Sequence, residues 1–394
     1  MKRILIPYNY YKFWFLLFFI GMGLVVPQVS PFVFSELELR KPGIIFFLGQ
    51  VCMTLGTFTT GYISDKTLKV RSPVLMMSFL AGISIYFFSK MDNTFQSPLM
   101  YSCLYFGLFM FSIGGIISLM NVSYLQNGFE SRNFGRVRLF GTAGFALPNG
   151  ILMFIHITPS TALRLSAGFF LMSTLALLTL PSGRDIQFQA GEKITWRRMR
   201  KLSTSSLFSF FIIILFFFFF GFSAAEYIVS DYIKNFLFVL DPVAFSWLIG
   251  TLVEIVVFFV SPFILNRYGP VFLIGISLFA GILRMLILAC SSNQLIILFS
   301  QSLHGIQFSG AYLGSLIYLK EKAHPQRLGS AQALFTSYSR GMGTGTGAYI
   351  LGNIAGGGNF QTAFLIAAAV LSVSLILLLV FSRVEKKHRY FFDG

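Results

Sequence analysis

Four ionisable residues of this chain stand inside apolar stretches: Glu254, Arg284, His304 and Arg340. An ionisable side chain is costly in hydrocarbon, so each marks a site. Burial and a neighbouring guanidinium act in opposite senses on a carboxyl group's hold on its proton. A solute that displaces Arg284 from Glu254 would therefore change whether Glu254 is protonated. His304 titrates near neutral pH when unperturbed and could link that proton to the solute. Gln301, His304 and Gln307 are spaced i, i+3, i+6 and share a helical face able to hydrogen-bond a polar molecule. Plainer alternatives stay open: Glu254 and Arg284 as a buried structural pair, His304 as an interhelical hydrogen-bonder, Arg340 facing a backbone carbonyl. Glu226 and Asp231, at the outer end of their helix, read as a solvated rim or gate.

These groups need helices to hold them, and the composition says in what solvent. Of 394 residues 55% are hydrophobic and 11% charged, with 49 Phe and 36 Gly. Soluble domains carry roughly 25% charge. A soluble fold could not bury this much apolar surface, whereas lipid covers it. A bilayer core needs about 20 apolar residues per helix. Such runs are expected near 12–34, 44–63, 73–89, 99–125, 139–157, 161–180, 207–229, 243–265, 271–290, 295–319, 328–350 and 360–381. At 1.5 Å per residue the four ionisable groups then lie roughly 9–16 Å below the outer surface, on four consecutive helices.

Lys and Arg set the orientation. With the N-terminus inside, 23 of the 30 fall in inner segments and 5 in outer ones, the asymmetry of cytoplasmic loops. Both termini are then cytoplasmic and the spans even in number. The polar, basic stretch 182–206 reads as a cytoplasmic linker between six-helix bundles at 1–181 and 207–383, with a cytoplasmic tail at 384–394. A weak repeat supports two related halves. Gly61-Tyr-Ile-Ser-Asp65-Lys66 after the second run has a counterpart in Pro262-Phe-Ile-Leu-Asn266-Arg267 after the eighth. Asp65 and Lys66, with Lys69 and Arg71 nearby, could form a charge latch that holds one conformational state; ordinary cytoplasmic flanking explains them as well.

Other classes are excluded. The net charge of +16 sits in short gaps between apolar runs, so it does not indicate nucleic acid. Cys52, Cys103 and Cys290 lie inside apolar runs without metal-ligand spacing. The glycine run Gly341-Met-Gly343-Thr-Gly345-Thr-Gly347 has no preceding strand or following lysine, so it is a packing surface and no phosphate loop. Phe13 to Phe34 lacks a small-residue cleavage site and is expected to be retained as a helix. Pro27, Pro31 and Pro148 are expected to kink helices. No nucleophile with a base is evident, so no enzyme, metal or cofactor is expected.

Four stretches resemble the major facilitator superfamily, over nearly the whole chain, and within it the lactose-permease-like branch of oligosaccharide, nucleoside and phenylpropionate proton symporters. Gly61 to Lys66 resembles the superfamily's loop motif. Phe134-Gly135-Arg136-Val-Arg138-Leu-Phe-Gly141-Thr-Ala-Gly144-Phe145 is similar to the branch's fifth-helix entry, which implies that Arg138 contacts substrate and Phe145 stacks on it. Glu254, Arg284 and Ser302-Leu-His304-Gly305 resemble its substrate and proton residues on helices eight to ten. Ala331-Gln-Ala-Leu-Phe335 and the glycine run resemble the eleventh helix of phenylpropionate-type members. The chain departs from the sugar permease at Gln307, where an acid is expected one turn after the histidine, and at Met120 and Asn121, where a fourth-helix acid is missing. Arg138, Arg284 and Arg340 are left short of acidic partners, which favours a solute bearing a carboxylate.

The expectation is an all-α integral membrane protein with twelve transmembrane helices in two six-helix halves, the major facilitator fold, monomeric and in the inner membrane. Its function would be proton-coupled symport of a small organic solute: an aromatic acid, nucleoside or sugar. Arg138, Phe145, Arg284, His304 and Gln307 would bind solute, Glu254 and His304 would couple protons, and Asp65, Lys66 and Arg71 would form the latch. Proton-driven efflux is the alternative, although Gly141, Gly144, Pro148 and Gly150 match the antiporters' fifth-helix pattern poorly. A non-transporting membrane sensor ranks below both.

Overall fold

The computed structural model describes residues 8–39, 41–67, 71–92, 94, 96–126, 131–178, 206–323, 331–332 and 334–385. For 8–11, 64–67, 71, 118, 121–126 and 131–138 it describes the backbone only. Among the described residues the fold is helical without strands. The helices are α1 Tyr8–Pro31, α2 Gly43–Thr67, α3 Arg71–Phe88, α4 Pro98–Gln126, α5 Ser131–Leu152 and α6 Pro159–Leu178. After them come α7 Ser206–Tyr227, the short α8 Val229–Ile233, α9 Pro242–Tyr268, α10 Pro270–Cys290, the short α11 Gln294–Ser300 and α12 Ser302–Lys322. The π-helix Phe335–Gly343 leads into α13 Thr344–Gly356, and α14 is Phe360–Val384. A second π-helix, Phe32–Glu36, extends α1.

Eight described helical segments are long and apolar enough to cross a membrane, and two shorter apolar ones lie at Ser72–Phe88 and Leu139–Leu152. α9 shows why such helices form in lipid. Leu252, Val256, Phe259 and Phe263 recur at i, i+4, i+7, i+11 and are exposed, a stripe that only an apolar solvent tolerates. Gly250, Glu254 and Ser261 recur at i, i+4, i+11 on the opposite face.

Several sequence-based boundaries shift. The fifth run begins at Ser131, so Arg136 and Arg138 are helical, and it ends at Leu152. Both copies of the loop motif lie in the last turns of their helices, α2 and α9, instead of following them. The tenth run is broken at Gln301. There the backbone bonds tighten to i−3, Gln301 N–H to Leu298 O and His304 N–H to Gln301 O, which interrupts the α ladder.

The chain divides into two compact units: Met1–Ala190 with Phe238–Phe245, and Gly191–Leu237 with Ser246–Gly394. In the first, α1 packs on α5 and α6, α2 on α4, and α3 on α4 and α6. In the second, α7 packs on the π-helix, α13 and α14, and α10 on α12 and α14; α9 meets α12 at Gly250 and Gly305. Each helix of one unit thus has the same partners as its counterpart in the other, the internal repeat that the loop motif hinted at.

Small residues allow the close approaches. Gly343 and Gly347 press on the backbone of Phe216 and Phe220 in α7, as expected of the glycine run. Pro148 removes a hydrogen bond inside α5. Asn149 bridges the weakened turn, its Nδ2 donating to Phe145 O at 2.8 Å and to Gly23 O of α1 at 3.3 Å.

Candidate functional site

The second unit brings together Arg284, Gln301, His304 and Gln307. They are 3%, 1%, 8% and 0% exposed. Arg284 projects from the middle of α10 and the other three from the facing side of the α11–α12 segment. Arg284 Nε donates to Gln301 Oε1 at 3.0 Å, and Nη2 donates to the same oxygen. Nη1 lies 3.0 Å from His304 Nδ1 and 3.5 Å from Gln307 Oε1. The Gln301 amide is fixed in turn, because its Nε2 donates to Ile297 O at 2.9 Å and Ser300 Oγ at 3.2 Å. The helix break at Gln301 is what aims this carbonyl oxygen at the guanidinium.

A guanidinium has donors and no acceptor, so His304 Nδ1 must accept. His304 is then neutral, with its proton on Nε2. Among the described residues no carboxylate reaches Arg284; its charge faces neutral partners only.

Aromatic rings hold the imidazole. Phe222 of α7 stacks on it at 5.5 Å, Trp247 of α9 meets it edge-on at 5.1 Å, and Phe308 lies parallel at 6.3 Å. Trp247 is itself anchored, Nε1 donating to Ser230 Oγ at 2.8 Å. A narrow crevice lies here, lined by Ala225, Val229, Ser246, Trp247, Arg284, Gln301 and His304. It is apolar on the α7 side and offers hydrogen-bond donors on the α10–α12 side.

The other expected residues are distributed more widely. Glu254 is half-buried on the α12-facing side of α9 and is not among the partners of Arg284, so the two do not form the buried pair. Arg340 lies in the π-helix with its guanidinium carbon 5.9 Å from the centre of the Phe308 ring. Its charge also acts on Glu226 of α7, without an ion pair between them among the described residues. Asp231 pairs with Lys234 at 2.8 Å. Phe145 is half-buried in α5 of the first unit. The side chains of Arg138, Asp65, Lys66 and Arg71 lie outside the described ones, although their backbones are helical. Gln307 is present as expected, but its Nε2 is buried without a hydrogen-bond partner, against Gly281 of α10.

Sequence reasoning missed Gln301 as the main acceptor for Arg284, and it missed Phe222, Trp247 and Phe308. The three rings are indistinguishable by type from the many lipid-facing aromatics, and only their positions single them out.

A sequence model of the MFS_1 like family matches residues 8–366. The chain is 27% identical to an uncharacterized transporter, YwbF, of Bacillus subtilis (strain 168) over 138 residues, 34% of each chain. It is 23% identical to the nucleoside permease NupG of Escherichia coli (strain K12) over 355 residues, 83% of each chain. Among solved structures it is similar to two of the nucleoside transporter NupG. A point mutant gives a TM-score of 0.83 at 18% identity, covering 95% of this chain and 99% of that one. The other gives 0.77 at 20% identity, covering 95% and 98%. The POT family transporter PepTSo gives 0.73 at 10% identity, covering 97% and 98%.

Proposed function

This chain belongs to the MFS_1 like family, and we propose from that premise that it is a proton-coupled symporter of a small organic solute. It is an integral membrane protein and a secondary transporter, not an enzyme. In this reading its helices form twelve spans in two six-helix halves, 1–181 and 207–383, joined by a cytoplasmic linker at 182–206. The tail 384–394 and the N-terminus are cytoplasmic, the chain is monomeric in the inner membrane, and transport proceeds by alternating access.

One observation carries the assignment of the site: the buried guanidinium of Arg284 lines a crevice and is satisfied by neutral side chains alone. A buried charge without a counter-charge is unfavourable unless something else supplies one. A solute carboxylate would. Arg284, His304 and Gln307 orient the solute, and Arg138 and Phe145 are further solute-binding residues in this reading. Glu254 carries the proton and His304 connects it to the site. Asp65, Lys66 and Arg71 latch one conformational state.

The test is counterflow in proteoliposomes with a panel of aromatic acids, nucleosides and sugars. Preference for the acids is expected; equal neglect of every acid would refute the carboxylate reading. A nucleoside is the second reading, favoured by similarity to a nucleoside permease over 83% of the chain.

A further inference from the structure

The hydrogen bond between Arg284 and His304 does more than hold a side chain in place. In the arrangement seen, His304 Nδ1 accepts from Arg284 Nη1 at 3.0 Å. Proton addition at Nδ1 would convert this acceptor into a donor. It would break the bond and set two buried cations side by side, where repulsion is strong. A carboxylate on the crevice side removes both objections. It accepts from the freed Arg284 Nη1 and from the new His304 Nδ1–H, and it screens one cation from the other.

We infer that Arg284 and His304 form a co-binding device in which a carboxylate-bearing solute and one proton enter together, each raising the affinity for the other. This rests on the reading of the cluster as the solute site and deepens it by naming His304 Nδ1 as the atom that holds the proton while the solute is bound, with Glu254 carrying it before and after. The charges balance. The empty pair holds one positive charge, and the loaded trio of guanidinium, imidazolium and carboxylate also holds one. Loading therefore adds no net charge to the low-dielectric interior, whereas anion alone or proton alone would change it.

The surroundings fit. The groups packed around His304 are Phe222 and Trp247, neither of which titrates near neutral pH, and Phe308 on its own helix. The charged residues on neighbouring elements are Arg284 on α10, Glu254 and, at the far end, Arg267 on α9, Glu226 on α7, Asp231 on α8, which pairs with Lys234, and Arg340 on the π-helix. Among the described residues only Arg284 is hydrogen-bonded to the imidazole. Arg340 is directed at the Phe308 ring. The backbone of Glu254 approaches α12 at Gly305, next to His304. Gln301 keeps Arg284 oriented throughout, since it binds Nε and Nη2 and leaves Nη1 as the end that changes partners.

Linkage makes the device measurable, because a coupling between two ligands is reciprocal. The full chain, purified in detergent, is titrated calorimetrically with benzoate and with its neutral analogue benzamide, in two buffers of different ionisation enthalpy. Benzoate is expected to bind with uptake of about one proton and to bind up to about tenfold more tightly per pH unit of acidification. Benzamide should bind at least tenfold more weakly and take up none. His304→Gln should lose the proton uptake and the pH dependence. Arg284→Gln should lose the preference for benzoate. Because Arg284→Gln could also unfold the protein, Arg284→Lys serves as the second variant: it keeps the charge and should keep the preference. Benzoate binding without proton uptake, equal binding of benzamide, an unchanged pH dependence in His304→Gln, or no binding of benzoate would each overturn the inference. Uridine counterflow by a protein that ignores benzoate would sink this inference and leave transport standing. Benzoate binding with proton uptake, in a protein that moves no solute, would do the reverse.

Discussion

Gly305 of α12 lies against the backbone of Glu254 in α9: a Cβ at position 305 would stand 2.6 Å from the Glu254 backbone nitrogen. Glycine is required there by proximity, and its neighbour His304 thereby comes within one helix contact of the acid. The backbone of Glu254 and the residue next to His304 meet at the same crossing.

Substitution of that glycine tests the crossing. Gly305→Val should lower stability by about 1–3 kcal/mol, the usual cost of overpacking a closed contact. Thermal unfolding of the purified protein in detergent reads it. An unchanged melting temperature would mean that α9 and α12 do not meet at this point.

Gln301 separates charge from packing. In Gln301→Leu, Arg284 Nε and Nη2 lose their acceptor, and each orphaned donor should cost about 1–3 kcal/mol. Gln301→Glu keeps the shape and supplies a built-in carboxylate. This variant should stay folded and bind benzoate at least tenfold more weakly, since its own acid now neutralises Arg284. Wild-type affinity in Gln301→Glu would show that Arg284 is not the anion site.

Glu254→Gln should abolish accumulation driven by a pH gradient while leaving downhill exchange intact. Proteoliposome assays of both modes distinguish these. Normal uphill uptake by this variant would remove Glu254 from coupling.

At the far end of α12, Tyr318 donates to Glu385 Oε2 at 3.0 Å, and Lys322 pairs with the same oxygen at 3.3 Å. These contacts pin α12 to the end of α14. Tyr318→Phe should cost about 1–3 kcal/mol, as expected for a hydrogen bond to a charged group. Transport should be retained at a temperature where the variant is folded. Loss of solute binding instead would give Tyr318 a part in the site.

The apolar runs, the excess of Lys and Arg in alternate gaps, and the identities of Arg284, His304 and Glu254 as intramembrane ionisable residues could all be read along the chain. They follow from the solvent: in lipid every backbone polar group must be satisfied within its own helix, and every retained charge stands out against its apolar neighbours. Which charges meet was not legible. Glu254 and Arg284 looked like partners by type and depth, yet Arg284 turns to Gln301 and His304. That pairing depends on how each helix is rotated and on the break at Gln301, and neither leaves a mark in composition or periodicity. Sequence alone therefore determined the environment and the cast of polar residues, because transfer into lipid is a local cost that each segment bears for itself. Only the tertiary structure decided the partners, because a hydrogen bond needs its two atoms within about 3 Å, and that distance is set by packing between segments far apart in the chain.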